Sequence, residues 1–228
     1  MPGYLFKQEC IQIAGVESLQ IRSLLDRQQF SDPEGEAQAL GISSAFWPLF
    51  GLLWPSGLHL AEAIGQRQLG SNESILEIGC GLGLASLVAH RRGALVTASD
   101  CHPLAGSFML ENLRLNNLPP LRYCHGNWNP PGDHAPSRLR VPQVQGRFDL
   151  IMGSDVLYER DGNGALPRFI ELHALPHCEV IIVDPNRGNR SAFSKRMHSM
   201  GFQLEEVKLH SLPGTELYKG RLLRYQRD

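Results

Sequence analysis

Three glycines at alternate positions, Gly79, Gly81 and Gly83, follow the apolar run that opens "SILEIGCGLGLASLVAHRRGALVTASD". Glycine adopts positive φ readily and lets backbone approach a ligand with no Cβ in the way. Asp100 closes the next apolar run. A carboxylate at that place can accept hydrogen bonds from both hydroxyls of a ribose. Together the two features predict a nucleoside-bearing cofactor. The spacing argues against two common kinds. A dinucleotide fingerprint needs Gly or Ala at its sixth position, where this sequence has Leu84 or Ser86, counting from Gly79 or Gly81. There is also no G-x-x-x-x-G-K-[ST] run to cradle a phosphate chain.

These residues need strand ends to hold them. From residue 74 the pattern alternates: strands at "SILEIG", "ALVTASD", "LRYCHGNW", "RFDLIMGSDVLY" and "CEVIIVDPN", with helices at "LGLASLVAHRRG", "PLAGSFMLENLRLNN", "ALPRFIELHAL" and "RSAFSKRMHSMG". "FQLEEVKLH" and "RLLRYQR" follow as two late strands with no helix between them. The polar, Pro-rich "NPPGDHAPSRLRVPQVQG" reads as a surface loop. Alternation of this kind predicts an α/β fold, a seven-stranded, mostly parallel sheet with helices on both faces and a C-terminal antiparallel hairpin strand. Before it, Val16, Leu19, Ile21 and Leu24 suggest one or two short strands, and "SDPEGEAQALGIS" reads as a loop. Ser56, after Trp54-Pro55, is expected to cap a helix carrying Leu58, Leu60, Ala61 and Ile64. The expected division is an N-terminal β-containing extension over residues 1–45 and a main domain over 46–228.

Composition narrows the class. Among 228 residues, 42% are hydrophobic and 20% charged, as in globular domains, and the formal net charge is -1. That balance argues against a nucleic-acid footprint, which needs a basic excess, although it leaves a local basic patch open. Five cysteines, an odd count without C-x-x-C spacing, suggest reduced thiols in a cytoplasmic protein and no zinc site. Nine histidines without H-E-x-x-H spacing add no metal site. The first residues lack the basic-then-apolar pattern of a signal peptide, and no apolar run approaches the ~18 residues that span a bilayer. The expectation is a soluble protein with no membrane partner.

Glu77-x-Gly79-x-Gly81-x-Gly83 resembles the first motif of class I S-adenosylmethionine-dependent methyltransferases, which are Rossmann-like. Further stretches resemble a branch of that superfamily: the methyltransferase-like 21 protein lysine methyltransferases and their relative that modifies the electron-transfer flavoprotein beta subunit. "LWPSGLHLAEAI" is similar to the branch's W-x-x-[AG] segment, "GNWN" to its tryptophan beside the adenine, "GSDVLYE" to its D-x-x-Y motif and "VDPNRGN" to its D-P-G-R stretch. The similarity covers about residues 45 to 205.

The resemblance implies S-adenosylmethionine as cofactor and a protein lysine as acceptor. It implies that Trp54 packs near the cofactor and that Glu77, Gly79, Cys80, Gly81 and Gly83 form the loop at its amino-acid part. Asp100 would bind the ribose, with Cys101 next to it. Trp128 would flank the adenine, with Asn127 at its edge, and Ser154 would lie beside the cofactor. Asp155 and Tyr158 would face the acceptor and act as the catalytic pair, Asp155 orienting the amine and Tyr158 closing its channel. Two positions depart from the pattern: Asn127 stands where many class I enzymes have an acid, and Asn186 where the flavoprotein-modifying branch has glycine. The amide-methylating signature N-P-P-Y is absent after the fourth strand. A small-molecule or RNA methyltransferase on the same scaffold, or a cofactor-binding protein without catalysis, are the alternatives.

Overall fold

The computed structural model describes residues 4–128, 142–157, 161, 163–212 and 217–227. The chain opens with a hairpin, β1 (Phe6–Ile13) and β2 (Val16–Leu24), paired antiparallel. A short helix α1 (Glu36–Ala39) interrupts the segment expected to be loop throughout, and α2 (Pro55–Gln66) follows two 3-10 turns. Five strand units then build the main sheet: β3 (Ser74–Ile78), α3 (Leu84–Arg91), β4 (Leu95–Asp100), α4 (Ala105–Leu115), β5 (Arg122–His125), β6 (Phe148–Ser154), α5 (Ala165–His173), β7 (Ala174–Asp184) and α6 (Arg190–Ser199). β8 (Gln203–His210) and β9 (Lys219–Arg227) complete it.

The sheet order is β5-β4-β3-β6-β7-β9-β8. β3 to β7 run parallel, while β9 lies antiparallel to both β7 and β8. This is the seven-stranded sheet expected from the alternation, with its late reversed strand. Successive side chains of each central strand point to opposite faces. Ile75, Leu150, Met152 and Ile181 therefore pack under α2, α3 and α4, whereas Leu76, Ile151, Val180 and Ile182 pack under α5 and α6. Burial on both faces explains why these strands read as continuous apolar runs.

Two local expectations change. Ser56 does not cap α2: Trp54 occupies the cap position, Pro55 starts the helix, and the Ser56 hydroxyl pairs instead with the Tyr218 hydroxyl at 2.9 Å. Proline suits that first position because its missing N–H would be unpaired there anyway. The helix expected over "ALPRFIELHAL" ends at His173, and Ala174 already begins β7. Among the described residues no helix links β5 to β6; residues 129–141 lie outside them.

The hairpin docks on α4 through its free edge. The Asn116 carboxamide accepts from the Gln20 N–H at 2.9 Å and donates to the Gln20 carbonyl at 2.8 Å. One turn earlier, Asn112 Oδ1 accepts the Arg22 N–H at 2.8 Å. Residues four apart share one helix face, so two asparagines serve a strand edge that has no second strand. Phe6 and Phe108 meet edge-to-face nearby at 5.7 Å. Asn112→Ala leaves a half-buried backbone N–H without its partner, and is expected to lower unfolding free energy by about 1 kcal/mol, read by chemical denaturation. Asn116→Ala should act in the same direction.

Candidate functional site

The strand order reverses between β3 and β6, because β4 and β5 extend one way from β3 and β6 and β7 the other. Such switch points open a crevice at the carboxyl ends of the strands. Here they open a cavity of about 360 Å³, within the usual size range of small-molecule sites. β3 and the turn after it give Glu77, Gly79, Cys80 and Gly81 to its wall, and the end of β4 gives Asp100 and the next residue, Cys101. Asn127 and Trp128 come from the end of β5, Ser154 and Asp155 from the end of β6, and Trp54 from the start of α2. Eleven residues singled out in the sequence thus converge on one space. Gly83 stands off the wall as the N-cap of α3, packed on Met109. Tyr158 lies outside the described residues.

The glycines are required by geometry. Gly79 and Gly81 have φ of +58° and +51°. A Cβ on Gly81 would sit 2.9 Å from the backbone oxygen of Phe50, and one on Gly79 would sit 2.9 Å from Val156 and 3.5 Å from Trp128. The turn is captured by Asp100, whose Oδ2 accepts the Gly81 N–H at 2.8 Å while Oδ1 accepts the His102 N–H at 2.8 Å. Burial raises the Asp100 pKa, and these N–H donors oppose the rise. Each carboxylate oxygen can accept further bonds beyond the one it has. A nucleoside with two adjacent hydroxyls fits this donor and acceptor set.

Glu77 works behind the turn. It is buried, and its carboxylate accepts both the N–H and the hydroxyl of Ser86 at the start of α3. Burial pushes its pKa up from 4.5 to about 7, against the lowering effect of Ser86. A carboxyl raised in the fold stabilises fully below its unfolded pKa and loses that contribution as pH climbs through the folded value. Stability should therefore fall between pH 4.5 and about pH 7. Glu77→Gln is expected to remove that part of the fall, seen by comparing urea midpoints of both proteins across the window.

Several wall residues carried no assignment in the sequence. Leu40 to Ser43, Phe46, Leu49 and Phe50 close the cavity from the segment before α2. His102 is buried with its ring stacked on Phe50 at 3.8 Å, and Nδ1 accepts the Leu104 N–H, leaving the ring proton on Nε2. Burial lowers its pKa to about 3, so the ring is neutral. Arg187 reaches the cavity from the turn after β7 and pairs with Asp155, its Nη2 2.9 Å from Oδ1 and 3.1 Å from Oδ2. The signal for Arg187 lay in "VDPNRGN", where a cation follows a strand end directly.

Asp155 itself has φ +58° and Asn186 φ +67°. Left-handed backbone is uncommon outside glycine, and Asp and Asn adopt it most easily among the others. The glycine-to-asparagine departure at 186 therefore keeps the turn that glycine would make. A strained residue on a cavity wall is a frequent mark of function.

The lysine methyltransferase family model matches residues 49–199, from the cavity's outer wall to the end of α6. The chain belongs to the lysine methyltransferase family. It is a class I S-adenosylmethionine-dependent methyltransferase. Among relatives of this lysine methyltransferase, the mouse electron transfer flavoprotein beta subunit lysine methyltransferase is 27% identical over 218 residues, 93% of this chain and 77% of that one. The mouse EEF1A lysine methyltransferase 3 is 23% identical over 191 residues, 80% of this chain and 78% of that one. A methyltransferase structure from Pyrococcus furiosus shares the fold, with a TM-score of 0.55 and 19% identity over 73% of this chain and 81% of that one. No helix among the described residues of the methyltransferase is long and apolar enough to cross a membrane.

Proposed function

We propose that this methyltransferase transfers a methyl group to a lysine side chain of another protein, with Asp155 receiving the acceptor amine. The observation that carries the reading is the Asp155 carboxylate. It lies on the cavity wall at the end of β6, ion-paired with Arg187 and still partly exposed. A carboxylate has more lone pairs than one guanidinium contact uses, and an incoming amine N–H can donate to one of them. The names of the relatives support the same class of acceptor.

S-adenosylmethionine, when bound, supplies an electrophilic methyl group on a positively charged sulfur. Asp100 would hold its ribose hydroxyls, and the backbone of Gly79 to Gly81 would lie along its amino-acid part. Trp54 and Trp128 supply flat apolar walls. Trp54 is itself fixed by its indole N–H, which donates to the Leu49 carbonyl at 2.9 Å. These residues orient and exclude water, which is how proximity lowers a transfer barrier. Asp155 orients the amine, and Tyr158 is assigned the closing of its channel. The five free cysteines support a reducing, cytoplasmic setting.

Two experiments test this. Asp100→Asn is expected to weaken binding of S-adenosylhomocysteine on the order of 100-fold, measured by titration calorimetry with the fold checked by circular dichroism. Transfer of a labelled methyl group to an extract of the source cell should place label on lysine of a protein band. Asp155→Asn should bind S-adenosylhomocysteine as the wild type does and lose most of that transfer. Label recovered in RNA, in small molecules or on another amino acid would overturn the lysine reading.

A further inference from the structure

A lysine amine attacks only when neutral, yet its free pKa is about 10.4. A lone carboxylate beside it would make matters worse, because an opposite charge within ~4–6 Å favours the ammonium. The structure holds an answer in the pair described above. Arg187 Nη2 stands 2.9 Å from Asp155 Oδ1 but donates its hydrogen bond to Oδ2. The carboxylate's charge is thus already balanced, while its partly exposed edge on the cavity wall keeps lone pairs for a further donor. An amine bonded to this carboxylate would lie within about 6 Å of the guanidinium.

We propose that Arg187 keeps the acceptor lysine in its neutral, nucleophilic form, while the Asp155 carboxylate fixes the direction of its lone pair. The inference deepens the reading of Asp155 given above and rests on it. The acceptor ammonium releases its proton to solvent on entering the site. The nitrogen lone pair then forms the new N–C bond as the S–C bond breaks, and that bonding pair goes to sulfur. The products are a methylammonium and neutral S-adenosylhomocysteine.

The other charged groups here fit that role. Asp184, fully buried at the end of β7, accepts the Arg187 N–H at 2.9 Å and so holds the turn that aims the guanidinium. Asp184 lies behind the wall and opposes Arg187 in charge, which makes the guanidinium more necessary. Tyr218, at the entry to β9, interacts with Asp155, Asp184 and Arg187 and is neutral, its pKa pushed up to about 12 by burial. His59 of α2 stacks on Tyr218 at 4.5 Å, and burial lowers its pKa. Arg187 is 41% exposed in its side chain, so the fold can tolerate its replacement.

The test uses a synthetic peptide around the lysine labelled in the transfer experiment, carrying ¹³C at its Cε. Bound to the enzyme with S-adenosylhomocysteine, it is titrated by NMR, and single-turnover methylation is followed over the same pH range. In the wild type both midpoints should lie at least about one unit below that of the free peptide. Arg187→Gln is expected to raise both by about one unit or more, whereas Arg187→Lys, which keeps the charge, should hold them near the wild-type value. An Arg187→Gln variant that turns over more slowly with unchanged midpoints would overturn the proposal and leave the role of Asp155 standing. If Asp155→Asn methylates as fast as the wild type, or no lysine is labelled, the reading beneath it falls and the proposal with it.

Discussion

One buried carboxylate holds the cofactor end of the molecule together. Asp100 ends β4, yet its oxygens take N–H groups from two different loops, those of Gly81 and His102. A turn with left-handed glycines at alternate positions has no regular ladder to satisfy its backbone, so it needs partners from elsewhere. Asp100 is one; the Ser99 carbonyl, which takes the Cys80 N–H at 2.9 Å, is another. The Ser99 hydroxyl in turn donates to the Glu77 carbonyl at 2.9 Å. β3 and β4 are thereby stitched beyond their last paired residues, and the cavity floor takes its shape from that stitching.

The same logic governs the Asp155 side of the cavity with opposite means. There the strand ends of β6 and β7 are joined by a backbone bond from the Asp155 N–H to the Val183 carbonyl at 2.8 Å. Left-handed Asp155 and Asn186 then bend both chains over the opening. One side of the cavity is shaped by missing side chains, the other by side chains forced into a glycine-like backbone. Charge follows the division: an acid held by N–H donors on one side, an acid matched to a guanidinium on the other.

Much of this was legible in the sequence because it is local. Short apolar runs mark β3, β4, β6 and β7, and the residues that matter sit where each run stops. Gly79 and Asp100 could be picked by type and place, whereas Glu77, Trp128 and Asp155 were marked by the motifs that resemble a known family. Arg187 had only its place after a strand end to mark it, since its partner Asp155 belongs to a strand that is a neighbour only in space. Ser56 failed as a cap for the same reason: its hydroxyl has a partner at Tyr218, far along the chain. The wall from Leu40 to Phe50 was hidden by its lack of period. Its apolar residues fold as short turns against a cavity, so neither a helix nor a strand pattern marks them. The hairpin edge was invisible too, because "ENLRLNN" gives no sign that Asn112 and Asn116 face a strand.

The order of strands carries a consequence for how the protein is made. β9 emerges from the ribosome after β8, but it lies inside the sheet, between β7 and β8. During synthesis β8 appears first and has no neighbour to accept it until β9 follows, and the edge of β7 stays open until β9 pairs with it across the intervening α6 and β8. Pairing over a longer stretch of chain is slower and leaves an exposed edge while it waits. Tyr218 arrives with β9 and brings the contact that anchors Ser56 of α2. A nascent chain can therefore assemble the half of the sheet that surrounds the glycine turn well before the Asp155 side is braced, and a stalled or truncated product would present an unfinished edge for quality control to recognise.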